Sequence, residues 1–124
     1  MRYLILGAGV GKAIAYLLSR QKSTDWLVLA DIDVDKAKKA CETINGPESC
    51  VFCTPIRFDV EKLSSSCFSK YDVVISALPA KYNYALADKV IEAGVNFCDL
   101  GGVVSVTEKM IAELNDKAEK TASR

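Results

Sequence analysis

Three glycines at alternate positions, Gly7, Gly9 and Gly11, follow an apolar run at 3–6 and open a segment of helical periodicity. The chemistry open to such a turn is anion binding. A helix N-terminus aims backbone N–H groups at a phosphate, and side chains at the turn would obstruct the approach. Gly7 allows the tight turn, Gly9 the close approach of a bound group, and Gly11 close packing of helix on strand, with Val10 exposed between them to the same ligand. Asp31 lies twenty positions beyond Gly11. The G-x-G-x-x-G fingerprint of dinucleotide-binding domains places there a carboxylate for the adenosine ribose hydroxyls. Asp31 and the adjoining Ile32 are therefore candidate contacts. The bland alternative makes Asp31 a cap for the helix starting near Asp33.

The turn is one residue shorter than the fingerprint between its last two glycines. That predicts a helix N-terminus drawn toward the strand, one misdirected N–H and weakened affinity. The other common phosphate loop, G-x-x-x-x-G-K-[ST], does not fit, because Leu6 and Ala13 stand where it needs glycine and a hydroxyl. Lys12 then reads as a solvated residue of the first helical turn.

Further polar residues fall at predicted strand ends. Asp59, with Val60 after it, follows the third strand and is placed either to contact an adenine or to cap a short helix over 61–65. "SALPAKY" at 76–82 leaves the fourth strand on the side where a nicotinamide would lie, so Ala77, Leu78 and Pro79 are candidate ring and ribose contacts. In "FCDLGG" at 97–102, Asp99 is expected to fix its own loop by an Asx turn, and Gly101-Gly102 permits positive φ. No catalytic residue is assigned. The chain contains no histidine, so the commonest general base and metal ligand is missing. "CVFC" at 50–53 has C-x-x-C spacing, but positions three apart on a strand face opposite ways. It reads as buried structural thiols rather than a metal or redox site, and five cysteines in all favour free thiols over a disulfide framework.

The elements that must position these residues alternate along the chain. Strand-like runs are expected at 3–6, 26–30, 51–58, 72–76 and 95–98. Helical spacing is expected at 11–20 (Ile14, Leu17, Leu18), at 33–45 (Val34, Ala37, Cys41, Ile44) and at 81–93 (Tyr82, Leu86, Val90, Ala93). A last helix should begin near Ser105, in capping-box register with Glu108, and bury Met110, Ile111, Leu114 and Ala118. This β-α alternation implies a doubly wound parallel α/β sheet of about five strands, a Rossmann fold. In the order 3-2-1-4-5 the third strand is an edge, where Pro55 is tolerated. A doubly wound domain continues into a sixth strand, so the expected organisation is one cofactor-binding domain over 1–124, the N-terminal part of a longer polypeptide.

With sixteen basic and sixteen acidic residues and no basic run, the composition argues against nucleic-acid and membrane-surface roles. No apolar run reaches the roughly 18 residues of a membrane span, and no signal-peptide pattern opens the chain. The expected location is the cytoplasm.

The stretches "LILGAGVGKAIA", "LADIDVDKA", "FDV", "YDVVISALP", "VIEAGVNFCDLGG" and "VTEKMIAELNDKA" together resemble the saccharopine dehydrogenase-like oxidoreductases, and within them the lysine 6-dehydrogenases. The aliphatic-ALP turn followed by EAGV…DLGG is the most specific part. The resemblance implies an N-terminal NAD-binding domain, with the amino-acid substrate region and a homodimer interface later in the chain. It implies oxidation of the ε-carbon of lysine, with hydride passing to the nicotinamide and the imine hydrolysed with loss of ammonia. By position, Gly7, Gly9 and Gly11 would line the pyrophosphate, Asp31 the ribose, and Ala77, Leu78 and Pro79 the nicotinamide side. NAD is expected over NADP, because Asp31 would repel a 2′-phosphate and Ile32, Asp33 and Val34 offer no compensating cation. These residues alone are expected not to turn over an amino acid. The rival expectation is a non-catalytic nucleotide-sensing domain like those regulating potassium transporters, which lack the ALP…EAGV…DLGG pattern. A short-chain dehydrogenase is disfavoured, since no Tyr-x-x-x-Lys pair occurs.

Overall fold

A computed structural model of the chain describes residues 1–101 and 104–121. Five parallel strands form one sheet in the order β3-β2-β1-β4-β5. The strands are β1 (Arg2–Leu6), β2 (Trp26–Asp31), β3 (Cys53–Arg57), β4 (Val73–Ser76) and β5 (Asn96–Asp99). The helices are α1 (Gly11–Ser19), α2 (Val34–Ile44), α3 (Asn83–Glu92) and α4 (Val104–Lys120). Successive crossovers lead first from β1 to β2 and β3, then back across the sheet to β4 and β5. The reversal opens a crevice between β1 and β4 at their carboxyl ends.

Strand alternation divides the core into two layers. On one face Leu4, Leu6, Val28 and Ala30 pack with Phe68, Val74, Leu86 and Val90. On the other, Ile5, Leu27 and Leu29 pack with Ala15, Ala37, Cys41 and Ile44. A sheet buried on both faces needs near-continuous apolar strands, and that is why β1, β2 and β4 read so plainly in the sequence. Pro55 sits on edge strand β3, opposite Leu29 of β2.

Several expectations are corrected. Leu17 is 64% exposed, and the sheet-facing side of α1 is Gly11, Ala15 and Ser19. Small residues at i, i+4 and i+8 bring this helix close to the sheet, and the larger Leu17 turns to solvent. Ile111 of α4 is 66% exposed, leaving Leu114 as that helix's buried residue. Ser105 lies inside α4, which begins at Val104, so it is not the N-cap. Residues 51 and 52 fall outside β3, where Phe52 projects to solvent. The short helix expected over 61–65 is two 3₁₀ turns, Val60–Lys62 and Ser65–Cys67. Cys50 is exposed and Cys53 buried, so only one thiol of that pair belongs to the core. Gly102 lies outside the described residues.

Candidate functional site

The glycine turn leaves β1 at the switch point. Gly7 has φ +100°, and a Cβ there would stand 2.9 Å from the Ala77 carbonyl oxygen at the end of β4. Only glycine meets both conditions. The backbone is tied on both sides: the Gly7 N–H donates to the Ala30 carbonyl at 2.8 Å, and the Ala77 N–H donates to the Leu6 carbonyl at 2.7 Å. Gly11 is buried, and a Cβ on it would lie 2.9 Å from Ile5 Cγ2. Gly9 differs. It is exposed, and a Cβ there would meet only Lys36 Nζ, at 3.6 Å. Packing within the chain therefore sets Gly7 and Gly11 but leaves free space over Gly9.

Behind this turn α1 begins with Val10 as its N-cap, and no side chain caps it. By contrast, Asp33 caps α2 by accepting the Asp35 and Lys36 N–H groups. Asp59 caps the 3₁₀ turn at Val60–Lys62 by accepting the Glu61 N–H at 2.9 Å. The Ala13 N–H donates to the Val10 carbonyl at 3.1 Å, and the Gly11 and Lys12 N–H groups ahead of it have no intrahelical acceptor.

Asp31 ends β2 and holds this turn directly. Its Oδ2 accepts the Ala8 N–H at 2.9 Å, and its Oδ1 accepts the Asp33 N–H at 3.0 Å. The Ala8 N–H is thus turned inward onto a carboxylate. Asp31 does not cap α2; Asp33 does.

A cavity of about 320 Å³ opens at the crevice. Gly7, Asp31, Ile32, Asp59, Val60, Leu78 and Pro79 all line it. The sequence-predicted residues Gly9, Val10, Gly11 and Ala77 do not: Gly9 and Val10 lie on the exposed turn above, and Gly11 and Ala77 are packed behind it. Sequence reasoning missed Ala30, Phe58, Glu61 and Tyr82 in the lining. Phe58 carried a readable signal, since it immediately precedes Asp59 at the end of β3. Glu61 and Tyr82 enter through 3₁₀ turns, whose side-chain directions periodicity does not predict. The resulting site has an apolar wall (Ile32, Phe58, Val60, Leu78) rimmed by three carboxylates (Asp31, Asp59, Glu61), with an uncapped helix end beside it. Such a surface takes a flat ring against the wall and hydroxyl groups on the carboxylates.

At the far end of β4, Ser76 Oγ donates to Asn83 Oδ1 at 2.9 Å and accepts the Leu78 N–H at 3.4 Å, both side chains being buried. This pair fixes the turn that carries Leu78 and Pro79. Asp99 forms the expected Asx turn, accepting the Gly101 N–H at 2.7 Å, and lies outside the cavity. Among the described residues no group of three or more potential ligands is placed to hold a metal, and no helix is long and apolar enough to cross a membrane.

Similar folds occur in solved structures, dehydrogenases among them. Saccharopine dehydrogenase (L-Glu forming) from Saccharomyces cerevisiae matches over 94% of this chain and 25% of its own, with TM-score 0.73 and 16% identity. A myo-inositol dehydrogenase from Corynebacterium glutamicum matches over 97% of this chain and 34% of its own, at TM-score 0.69 and 18% identity. GenD2 from gentamicin A biosynthesis, solved with NAD, matches over 98% and 32%, at TM-score 0.68 and 16% identity. The chain thus spans a quarter to about a third of the length of these proteins, and identities this low show the fold. The sequence pattern of a defined family, described as the saccharopine dehydrogenase NADP binding domain, matches residues 3–123. By that match over nearly its whole length, the chain belongs to the saccharopine dehydrogenase NADP binding domain family.

Proposed function

We propose that this chain is the nicotinamide-dinucleotide-binding unit of an amino-acid dehydrogenase. The observation that carries the reading is the pairing, at one switch point, of an uncapped helix behind Gly9 with the Asp31 carboxylate. The diphosphate lies over Gly9 and Val10, where the α1 amides and dipole favour an anion. Asp31 keeps lone pairs for the adenosine ribose hydroxyls, and Ile32, Asp59 and Val60 flank the adenine. Gly11 sets the helix close enough to the sheet for its amides to reach the diphosphate. Ala77, Leu78 and Pro79 border the nicotinamide, their turn held by Ser76 and Asn83. A nicotinamide held there would supply a hydride acceptor for the carbon that bears the amine. This chain's residues orient the cofactor and exclude water on the apolar side of the cleft; contacts to the amino acid fall to the remainder of a longer, homodimeric, cytoplasmic enzyme. Lysine, oxidised at its ε-carbon, is the proposed substrate, on the resemblance of "VISALP" and "EAGVNFCDLGG" to lysine 6-dehydrogenases.

We infer NAD as the preferred form, because Asp31 repels a 2′-phosphate. One observation favours a second reading. Lys36, in the first turn of α2, brings its ammonium to 3.6 Å from where a Cβ on Gly9 would stand, and a cation there offsets that repulsion for NADP, the cofactor in the family's description. Calorimetric titration of both cofactors tests the choice. NAD binding at least tenfold tighter supports the first reading, and equal or tighter NADP binding overturns it.

A further inference from the structure

Away from the cleft, α2 and β3 bring two thiols together. Cys41 faces the core from α2, and Cys53 opens β3; both are buried, at 3% and 0% exposure. Their Sγ atoms lie 3.4 Å apart and share one S–H···S hydrogen bond. The backbones that carry them are clamped. Asn45, the C-cap of α2, accepts the Cys53 N–H on Oδ1 at 2.7 Å and donates from Nδ2 to the Cys53 carbonyl at 3.0 Å. Helix end and strand start are therefore held in register, with the two sulfurs facing each other at 3.4 Å.

One of the two borders a cleft. A cleft of about 370 Å³ between α2 and β3 is lined by Cys41, Lys38, Glu42 and Asn45, with the 67%-exposed Phe52 at its side. Cys53 lies beneath, out of its lining. The hydrogen bond shared with Cys53 holds the Cys41 thiol below its usual range, while the same bond and burial push Cys53 up. Cys41 is the first of the pair to present a thiolate, the form that attacks a disulfide.

We propose that Cys41 and Cys53 are a thiol–disulfide exchange site, oxidised through Cys41 by a small disulfide of the glutathione class. The Cys41 thiolate attacks one sulfur of the small disulfide, forming a mixed disulfide and expelling one thiolate, which takes up the Cys41 proton from solvent. Cys53 then loses its proton and attacks the Cys41 sulfur, expelling the second small thiol. Two protein thiols are oxidised, one small disulfide is reduced to two thiols, and atoms and electrons balance. The product staples α2 to β3, the two elements that lead from Asp31 and into Asp59.

The test uses the folded chain with Cys50→Ser, which removes an exposed thiol that would complicate the mapping. It is incubated with oxidised glutathione below its melting temperature, then unfolded, alkylated and cut after lysine, arginine and glutamate. The expected result is a disulfide joining the Cys41 and Cys53 peptides, a raised melting temperature, and glutathione only on Cys67 and Cys98. In Cys53→Ser the attack stalls, and glutathione is expected to stay on Cys41. Should that variant not fold, the Cys50→Ser mapping decides alone. Recovery of Cys41 and Cys53 both alkylated, while Cys67 and Cys98 carry glutathione, would overturn the proposal.

Discussion

Asp31 Oδ2 accepts the Ala8 N–H at 2.9 Å, across the gap between the end of β2 and the glycine turn that follows β1. Through its other oxygen the same carboxylate accepts the Asp33 N–H. One side chain thus joins the two connections that border the cleft, and the fold draws on the same group as the proposed ligand site.

Replacing Asp31 by Ala is therefore expected to cost stability as well as affinity. A hydrogen bond to a charged group contributes about 1.5–3 kcal/mol, and partial exposure of Asp31 puts the loss toward the lower figure. Asp31→Asn keeps an acceptor but removes the charge, so it should raise affinity for NADP relative to NAD. Denaturant unfolding and parallel titrations of the two cofactors separate these effects.

The three glycines are expected to divide by what fills the space beside them. Gly7→Ala meets a positive φ and the Ala77 carbonyl, and Gly11→Ala meets Ile5, a stiff β-branched side chain with no exposure. Both should destabilise, Gly11→Ala by about 1–3 kcal/mol of overpacking, less the roughly 1 kcal/mol gained from helix propensity. Gly9→Val should leave stability within about 0.5 kcal/mol, as surface substitutions do, yet obstruct the dinucleotide. Thermal melts with and without NAD read both quantities on the same samples.

The short turn makes its own prediction. Inserting one residue between Gly9 and Val10 should free the Ala8 N–H from Asp31 or re-aim a neighbour. One recovered charge-assisted bond of about 1.5–3 kcal/mol corresponds to roughly ten- to hundredfold in NAD affinity. Unchanged or weaker binding by the inserted variant would mean that the five-residue turn is a native solution with its own geometry.

A fourth prediction concerns acid. Arg2 donates from Nε and Nη2 to Asp72 at 3.3 and 3.1 Å, and its backbone N–H adds a bond of 2.7 Å. The Arg2 side-chain hydrogen bond, foremost, holds the Asp72 carboxyl below the usual carboxylate range. A depressed folded-state value means that this contribution is present above the unfolded carboxyl pKa, about 3.9, and is lost as pH falls through the folded value. Melting temperature should therefore fall less steeply below pH 4 in Asp72→Asn than in the parent, as a pH series of thermal melts will report.

How much of this was legible follows from what each signal encodes. β1, β2 and β4 are buried on both faces, so their composition alone marks them; alternation implied a parallel sheet, and Pro55 suited an order that leaves β3 at the edge, which is the order observed. The buried face of α1 was legible only in part from apolar spacing, which marked Ile14 and Leu18, packed against the core, but also the exposed Leu17. The nearness of α1 to the sheet selects Gly11, Ala15 and Ser19, and the larger Leu17 is left outside. Gly7, Asp31 and Leu78 could be placed because each ends a strand at the switch point. Lys36 could not, because the residues next to Asp31 in sequence gave no sign that a turn of α2 returns an ammonium to Gly9. The pairing of Cys41 with Cys53 was hidden for the same reason: the C-x-x-C spacing pointed to Cys50, which lies in solvent.

Amide NMR titration with NAD reads residue by residue whether the turn at Gly7–Gly11 and the Asp31 carboxylate together bind a dinucleotide. Saturable shifts are expected at Ala8, Gly9, Val10, Ile32, Asp59 and Leu78, with their loss in Gly9→Val while the remaining spectrum stays intact. No saturable shift with either NAD or NADP, or shifts confined to the groove that Ile91, Phe97 and Met110 line between α3 and α4, would contradict such binding.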